Sequence, residues 1–73
     1  MELKSVKAYL GHTVLYDIGQ ISLNGTSIQP FEFSACILRR KENGRLYYQA
    51  ELKEIGKKSV IIVPLEKVIV KND

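Results

Sequence analysis

Cysteine and histidine are almost missing from this sequence, and tryptophan is absent. Cys36 is alone, so it can form neither an intramolecular disulfide nor a thiolate zinc site. His12 stands five positions before Asp17, a spacing that puts the two side chains on opposite faces of a strand. Because no Ser-His-Asp or Cys-His arrangement can be placed, we expect a protein that is not an enzyme, with no catalytic residue, cofactor or metal site.

Long apolar segments are missing as well. No run approaches the roughly 18 apolar residues of a membrane span, and residues 1–7 have neither the basic start nor the apolar core of a secretion signal. The 73 residues are 45% hydrophobic and 26% charged, which is typical of a folded chain. We therefore expect one small domain, residues 1–73, in the cytoplasm and without a membrane partner.

What the sequence does have is alternation of apolar and polar residues. Apolar side chains recur at every second position in 31–37 and again in 46–52, with Asn43-Gly44 between the two segments. This pattern predicts a central β-hairpin. We prefer a four-residue loop, which would place Phe33 opposite Leu52 on one apolar face and pair Glu32 with Lys53. A two-residue turn would also keep the faces separate. A three-residue loop would mix them and is disfavoured.

Shorter elements are predicted on both sides of this hairpin. The pattern indicates strands over Leu3–Leu10 and Thr13–Ile18, a second hairpin over Ile21–Ile28 with an Asn24-Gly25 turn, a doubly covered strand over Ser59–Val63, and a final strand over Val68–Val70. Pro30 is expected to end or redirect its strand. Pro64–Lys67 suits one helical turn, because proline fits the first helical position.

The predicted core and one rival interpretation follow from the same pattern. The side chains expected to be protected are Phe33, Ala35, Ile37, Tyr48, Ala50, Leu52, Val60 and Ile62. The rival interpretation makes 35–43 and 46–55 two helices that stop at Gly44 and Gly56. The period-two order and the Tyr47-Tyr48 pair favour strands instead.

Together these elements predict an all-β fold, a small single-domain barrel of five to seven short antiparallel strands with one helical turn near Pro64–Lys67. The order of a long hairpin, a buried strand, a helical turn and a final strand resembles a Src-homology-3-like barrel over residues 13–71. The resemblance is one of layout, without a family motif. Because such barrels bind proteins, peptides and nucleic acids, it implies a binding module and does not choose the ligand.

Positive charge is concentrated in the second half of the chain. Residues 1–38 carry two bases against three acids, whereas 39–73 carry nine against five. A basic cluster with an adjacent tyrosine brackets the hairpin turn, and such a cluster can hold a nucleic-acid backbone and stack a base. Its members are Arg39, Arg40, Lys41, Arg45 and Tyr47. The alternative is a charged surface that keeps the protein soluble and blocks strand addition.

An apolar patch is also expected on the outer face of the hairpin. Cys36, Leu38 and Tyr47 would share that face in the preferred register, unless the N-terminal segment covers them. The expected function is therefore protein–protein interaction, as a module or accessory subunit, with an unknown protein or a second copy as partner. Nucleic-acid binding through the basic cluster is the alternative.

Overall fold

The computed structural model describes residues 1–20 and 25–70, and one antiparallel sheet dominates it. A 3-10 turn over Leu3–Ser5 leads into the short helix α1, Val6–Tyr9. The strands follow as β1 (Thr13–Asp17), β2 (Ile28–Arg40), β3 (Leu46–Glu54) and β4 (Val60–Pro64), and a second 3-10 turn spans Leu65–Lys67. The strands are ordered β1-β2-β3-β4 in the sheet. The mostly-sheet fold and the helical turn after Pro64 are thus confirmed.

The predicted barrel of five to seven strands is not formed. Within the described residues the sheet has four strands and is open. After the second 3-10 turn the chain returns to β1, where Leu15 and Ile69 exchange two backbone hydrogen bonds of 2.8 Å. This is an isolated bridge on the free side of β1, and it leaves β1 and β4 unjoined.

Strand β2 pairs with β1 on one side and with β3 on the other, and its register against β3 changes at Ser34. Its first part pairs with β1 and places Phe33 opposite Leu52 of β3. Beyond Ser34 the register has shifted by one residue, so that Ala35 lies opposite Glu51 and Cys36 opposite Ala50. Such a β-bulge bends the strand and increases its twist.

The hairpin turn differs from the prediction for the same reason. Lys41 N–H donates to the Arg45 carbonyl at 2.8 Å, and Gly44 N–H donates to the Lys41 carbonyl at 2.9 Å. This is a three-residue loop over 42–44, with Gly44 at a φ of 85°, the left-handed position that this kind of loop requires. The register that a four-residue loop predicts is correct in the part of β2 that precedes the bulge, where Glu32 faces Lys53 as expected. Beyond the bulge that register is wrong.

The core lies on one face of the sheet and is closed by the C-terminal segment. Its buried side chains are Val14, Phe31, Phe33, Ala50, Leu52, Val63, Leu65 and Val68. Three predicted members, Phe33, Ala50 and Leu52, are therefore confirmed, and Ala35, Ile37 and Tyr48 are half-buried. Val60 and Ile62 are exposed, so the prediction of a strand covered on both sides is wrong.

Two further predictions need correction, and the rival interpretation is excluded. The strand over Leu3–Leu10 is wrong, since the segment forms the 3-10 turn and α1. Pro30 does not end its strand, because it lies opposite Leu15, whose own N–H bonds to Ile69 instead of to β2. The two-helix interpretation of the hairpin is also wrong. Ile21 and Asn24 of the second predicted hairpin lie outside the described residues.

Candidate functional site: the tip of the central hairpin

The tip of the β2–β3 hairpin extends beyond the rest of the sheet. Strand β1 pairs with β2 only as far as Glu32, and β4 pairs with β3 only from Gln49 onward. Among the described residues, 38–48 therefore form a two-stranded ribbon without a strand neighbour on either side. Both of its edges are therefore free of strand pairing, and Leu38, Arg39, Arg40 and Leu46 on it are exposed.

One face of this ribbon, the leucine face, continues the core side of the sheet. Directly paired residues of antiparallel strands point to the same side, and the pairs here are Cys36 with Ala50, Leu38 with Tyr48, and Arg40 with Leu46. Cys36 and Tyr48 pack against the core. Leu38 is 54% exposed and Leu46 is 62% exposed, so two large apolar side chains lie diagonally adjacent on an open surface.

The other face, the basic face, carries most of the predicted cations. Arg39 lies opposite Tyr47, and the hydrogen bond from Lys41 to Arg45 continues the ladder by one pair. Alternation thus places Arg39, Lys41 and Arg45 on the side of Tyr47. The Lys41 ammonium lies 5.6 Å from the centre of the Tyr47 ring, within the range of a cation–π contact.

The predicted clusters are therefore divided between the two faces. Arg40 lies on the leucine face, away from the other three cations, and Tyr47 lies on the basic face, away from Cys36 and Leu38. The shared outer face for Cys36, Leu38 and Tyr47 was wrong, because the Ser34 bulge exchanges the faces of β2. Sequence reasoning also missed Leu46 as a site residue. The available signal was Gly44 after Glu42-Asn43, since a three-residue loop pairs Arg40 with Leu46.

The charges of the basic face are not neutralised by neighbours. The ion pairs within the described residues are Lys4 with Glu2 at 3.2 Å and Lys57 with Glu54 at 3.4 Å, both away from the hairpin tip. Glu42 in the turn is the nearest acid in sequence. The three cations of the basic face are thus available to an anionic ligand.

A groove of about 460 Å³ opens beside the tip, where the second 3-10 turn leaves the edge of β3. Lys41 and Tyr47 of the basic face line it together with Tyr48 and Leu65, and Met1 and Leu3 lie on its N-terminal side. Leu3 is itself exposed. The groove therefore lies along the edge of β3, where the leucine face and the basic face meet.

Residues considered for chemistry lie elsewhere or are dispersed. His12 is exposed in the bend before β1, and its carbonyl accepts a hydrogen bond from Phe33 N–H. Burial raises the pKa of the Cys36 thiol, which disfavours the reactive thiolate. The Gly19 N–H, and then the Ser27 hydroxyl, lower the pKa of Asp17 by hydrogen bonding to its carboxylate.

Two further findings concern the described part of the chain, 1–20 and 25–70. It contains no group of three or more His, Cys, Asp or Glu side chains arranged to hold a metal ion. It also contains no helix of the length and apolarity needed to cross a bilayer.

Comparison with known proteins adds no relative. The chain matches no protein-family model, no curated protein sequence and no solved structure. Its function therefore has to be inferred from the geometry of the hairpin tip.

Proposed function

We propose that this protein is a non-enzymatic binding module that contacts another protein through the leucine face of the hairpin tip. The observation that supports this proposal is the exposure of Leu38 and Leu46, 54% and 62%, side by side on a ribbon with no strand neighbours among the described residues. Full burial of one leucine is worth about 1.5–3 kcal/mol. Binding of a partner that covers both leucines is therefore stabilised by the burial of two such side chains, each of which is already partly buried.

The surroundings of the two leucines resemble the anatomy of a protein interface. Tyr48 adds an aromatic side chain with a polar tip, and Arg40 adds a cation at the rim of the patch. Tyrosine and arginine are the residue types enriched among binding hot spots. The groove beside Tyr48 gives a partner side chain a concave place to enter. The expected partner surface is apolar with a carboxylate placed to meet Arg40.

Affinity capture from the native cell tests this function. Three baits are compared: the wild type, a double variant with Leu38→Ser and Leu46→Ser, and the control Ile55→Ser. The control removes a similarly exposed apolar side chain at the far end of the sheet. We expect the wild type and the control to capture the same proteins, with nuclease treatment making no difference. The double variant should lose at least tenfold in captured amount while keeping its circular dichroism spectrum. Equal capture by the double variant would contradict the proposal.

Nucleic-acid binding through the basic face is the second candidate. It is favoured by three cations and one tyrosine on one side of the ribbon, none of the cations ion-paired within the described residues. Arginine and lysine can contact successive phosphates, and the Tyr47 ring can stack on a base once Lys41 moves from it. Three phosphate contacts predict a slope of log affinity against log salt of roughly −2 to −3.

The division of the cations between two faces supplies a matched control for this candidate. In fluorescence anisotropy with short labelled DNA and RNA, Arg39→Glu with Arg45→Glu should remove most of the salt dependence. Arg40→Glu changes charge equally per site but lies on the opposite face, so it should retain most of the slope. No binding by the wild type even at low salt, or equal losses in both variants, would count against nucleic acid.

A further inference from the structure

Strand β4 is an edge strand whose first four residues include neither a charged residue nor a proline. Within the described residues it pairs with β3 alone. Its sequence is Val-Ile-Ile-Val-Pro, without a charged residue. Edge strands of soluble proteins are commonly blunted by lysine, by a bulge or by a covering loop, because their free amides attract another strand. The apolar part of this edge, before Pro64, therefore has no residue that blocks strand addition.

The hydrogen-bond pattern shows which backbone groups face outward. Glu54 N–H donates to the Ser59 carbonyl at 3.0 Å, so these two residues form a hydrogen-bonded pair of the β3–β4 ladder. Because such pairs alternate along an antiparallel ladder, Leu52 with Ile61 and Ala50 with Val63 are also of this kind. The N–H and C=O groups of the alternate residues in β4, Val60 and Ile62, then point away from β3.

We infer that this edge binds the edge of a second copy, in antiparallel register centred on Ile61. In that register Val60 of each copy lies opposite Ile62 of the other, and each such pair exchanges two backbone hydrogen bonds. The interface has two-fold symmetry, as most homodimer interfaces do. The two four-stranded sheets become one continuous sheet. This inference concerns a different surface from the hairpin tip and does not rest on the function proposed for it.

The side chains fit this register on both faces of the sheet. Val60 and Ile62 are 47% and 44% exposed on the outer face, and each would gain a β-branched neighbour across the interface. Ile61 lies on the core side and would meet Ile61 of the second copy. A charged or mismatched edge would instead place like charges or polar groups in these positions.

The ends of the strand favour the antiparallel orientation. Lys57 and Lys58 precede β4, and Lys57 is ion-paired with Glu54, whereas Glu66 and Lys67 follow β4 in the second 3-10 turn. A parallel pair would bring the Lys58 side chains of the two copies together, whereas an antiparallel pair keeps them at opposite ends of the interface. Pro64 has no N–H to donate, so the ladder between copies is expected to end there. Only three residues of β4, Val60, Ile61 and Ile62, face one another in this register. Such a short overlap is small for an interface, so the dimer is expected to be reversible and dependent on concentration.

Sedimentation equilibrium of the wild type from micromolar to millimolar concentration tests the inference. The mean mass should rise from 8.3 kDa toward twice that value. Ile62→Lys should hold the protein at the monomer mass, because it places a lysine beside the two-fold axis. It should also remain folded, since position 62 is exposed and lies opposite Glu51. The control Leu46→Lys adds the same charge at the hairpin tip and should leave dimerisation unchanged.

Disulfide trapping tests the register. In a Cys36→Ser background, Ile61→Cys puts two thiols at a directly opposed pair, at the distance that a disulfide needs. We expect rapid formation of a covalent dimer. Ile62→Cys is the control, because the two thiols would be displaced along the strands and too far apart to join.

Three results would overturn the inference. The first is a monomer at every concentration, which would leave the edge for a strand of another protein. The second is a dimer lost in Leu46→Lys and kept in Ile62→Lys, which would place self-association at the hairpin tip. The third is preferential trapping through position 62. The first and third results leave the function proposed for the leucine face unaffected, whereas the second would make a second copy its partner.

Discussion

Leu52 and Ile62 show how differently two aliphatic residues of neighbouring strands contribute to stability. Leu52 is fully buried, whereas Ile62 is 44% exposed. Leu52→Ala should lower the free energy of unfolding by about 2–5 kcal/mol, since it removes buried methyl groups and leaves a cavity. Ile62→Ala should lower it by no more than about 1 kcal/mol. A domain of this size has roughly 4–11 kcal/mol in total, so the first variant is close to unfolding.

Urea titration followed by circular dichroism measures both losses. The measurement belongs at low micromolar concentration, so that pairing through β4 adds nothing to the apparent stability of either variant. Equal m-values would show that both variants unfold from the same compact state. A larger loss for Ile62→Ala than for Leu52→Ala would mean that β4 is covered in solution on the face that the structure leaves open.

At the scale of elements, the alternation in the sequence was sufficient to identify the strands of the hairpin, and Pro64 was sufficient to place the helical turn. Both signals are local, since side-chain period and the fixed φ of proline act within a few residues. Alternation gave the wrong element for the segment before β1. Val6, Ala8 and Leu10 alternate, yet 6–9 is helical, because a short segment with few apolar residues fits either period.

The register of the hairpin could not be read in the same way. Phe31 and Phe33 belong to the core face, and continuing their alternation puts Ala35 and Ile37 there as well. The extra residue at Ser34 moves Cys36 and Leu38 to that face instead. The residue types around Ser34 do not indicate a bulge, because the contacts that stabilise it are with the neighbouring strand and not with residues close in sequence. Its hydroxyl donates to the Glu51 carbonyl at 3.1 Å and lies 2.7 Å from a Glu51 carboxylate oxygen.

The error in register affects which face each site residue lies on, but not the position of the candidate site. The position of the site at the hairpin tip, and the presence of bases beside a tyrosine, followed directly from the order of residues in 39–47. The assignment of Arg40 and Tyr47 to opposite faces required the shifted register. A change of one residue in pairing therefore separates one predicted surface into a leucine face and a basic face, for which we propose different classes of ligand.

At the scale of the whole molecule, the core depends on the chain returning to β1 after the sheet is complete. Leu65 and Val68, on the returning segment, are among the most buried residues. The Met1 nitrogen lies 2.6 Å from the Val68 carbonyl, so the two ends of the described chain meet at the same place. The pairing of Leu15 with Ile69 is the backbone contact that fixes this segment against the strand.

Ile69→Pro tests whether this return is part of the cooperative fold. Proline removes the N–H that donates to the Leu15 carbonyl, and Val68, with a ψ of 130°, already has the extended conformation preferred before proline. We expect a loss of about 1–3 kcal/mol in the free energy of unfolding, the cost of an unsatisfied backbone group. Amide exchange at Leu15 should accelerate with it. Ile69→Val keeps the N–H and should stay within about 1.5 kcal/mol of the wild type. If Ile69→Pro keeps both the stability of the protein and the protection of the Leu15 amide, the four strands fold without the returning segment. The burial of Val68 would then contribute little to the stability of the sheet.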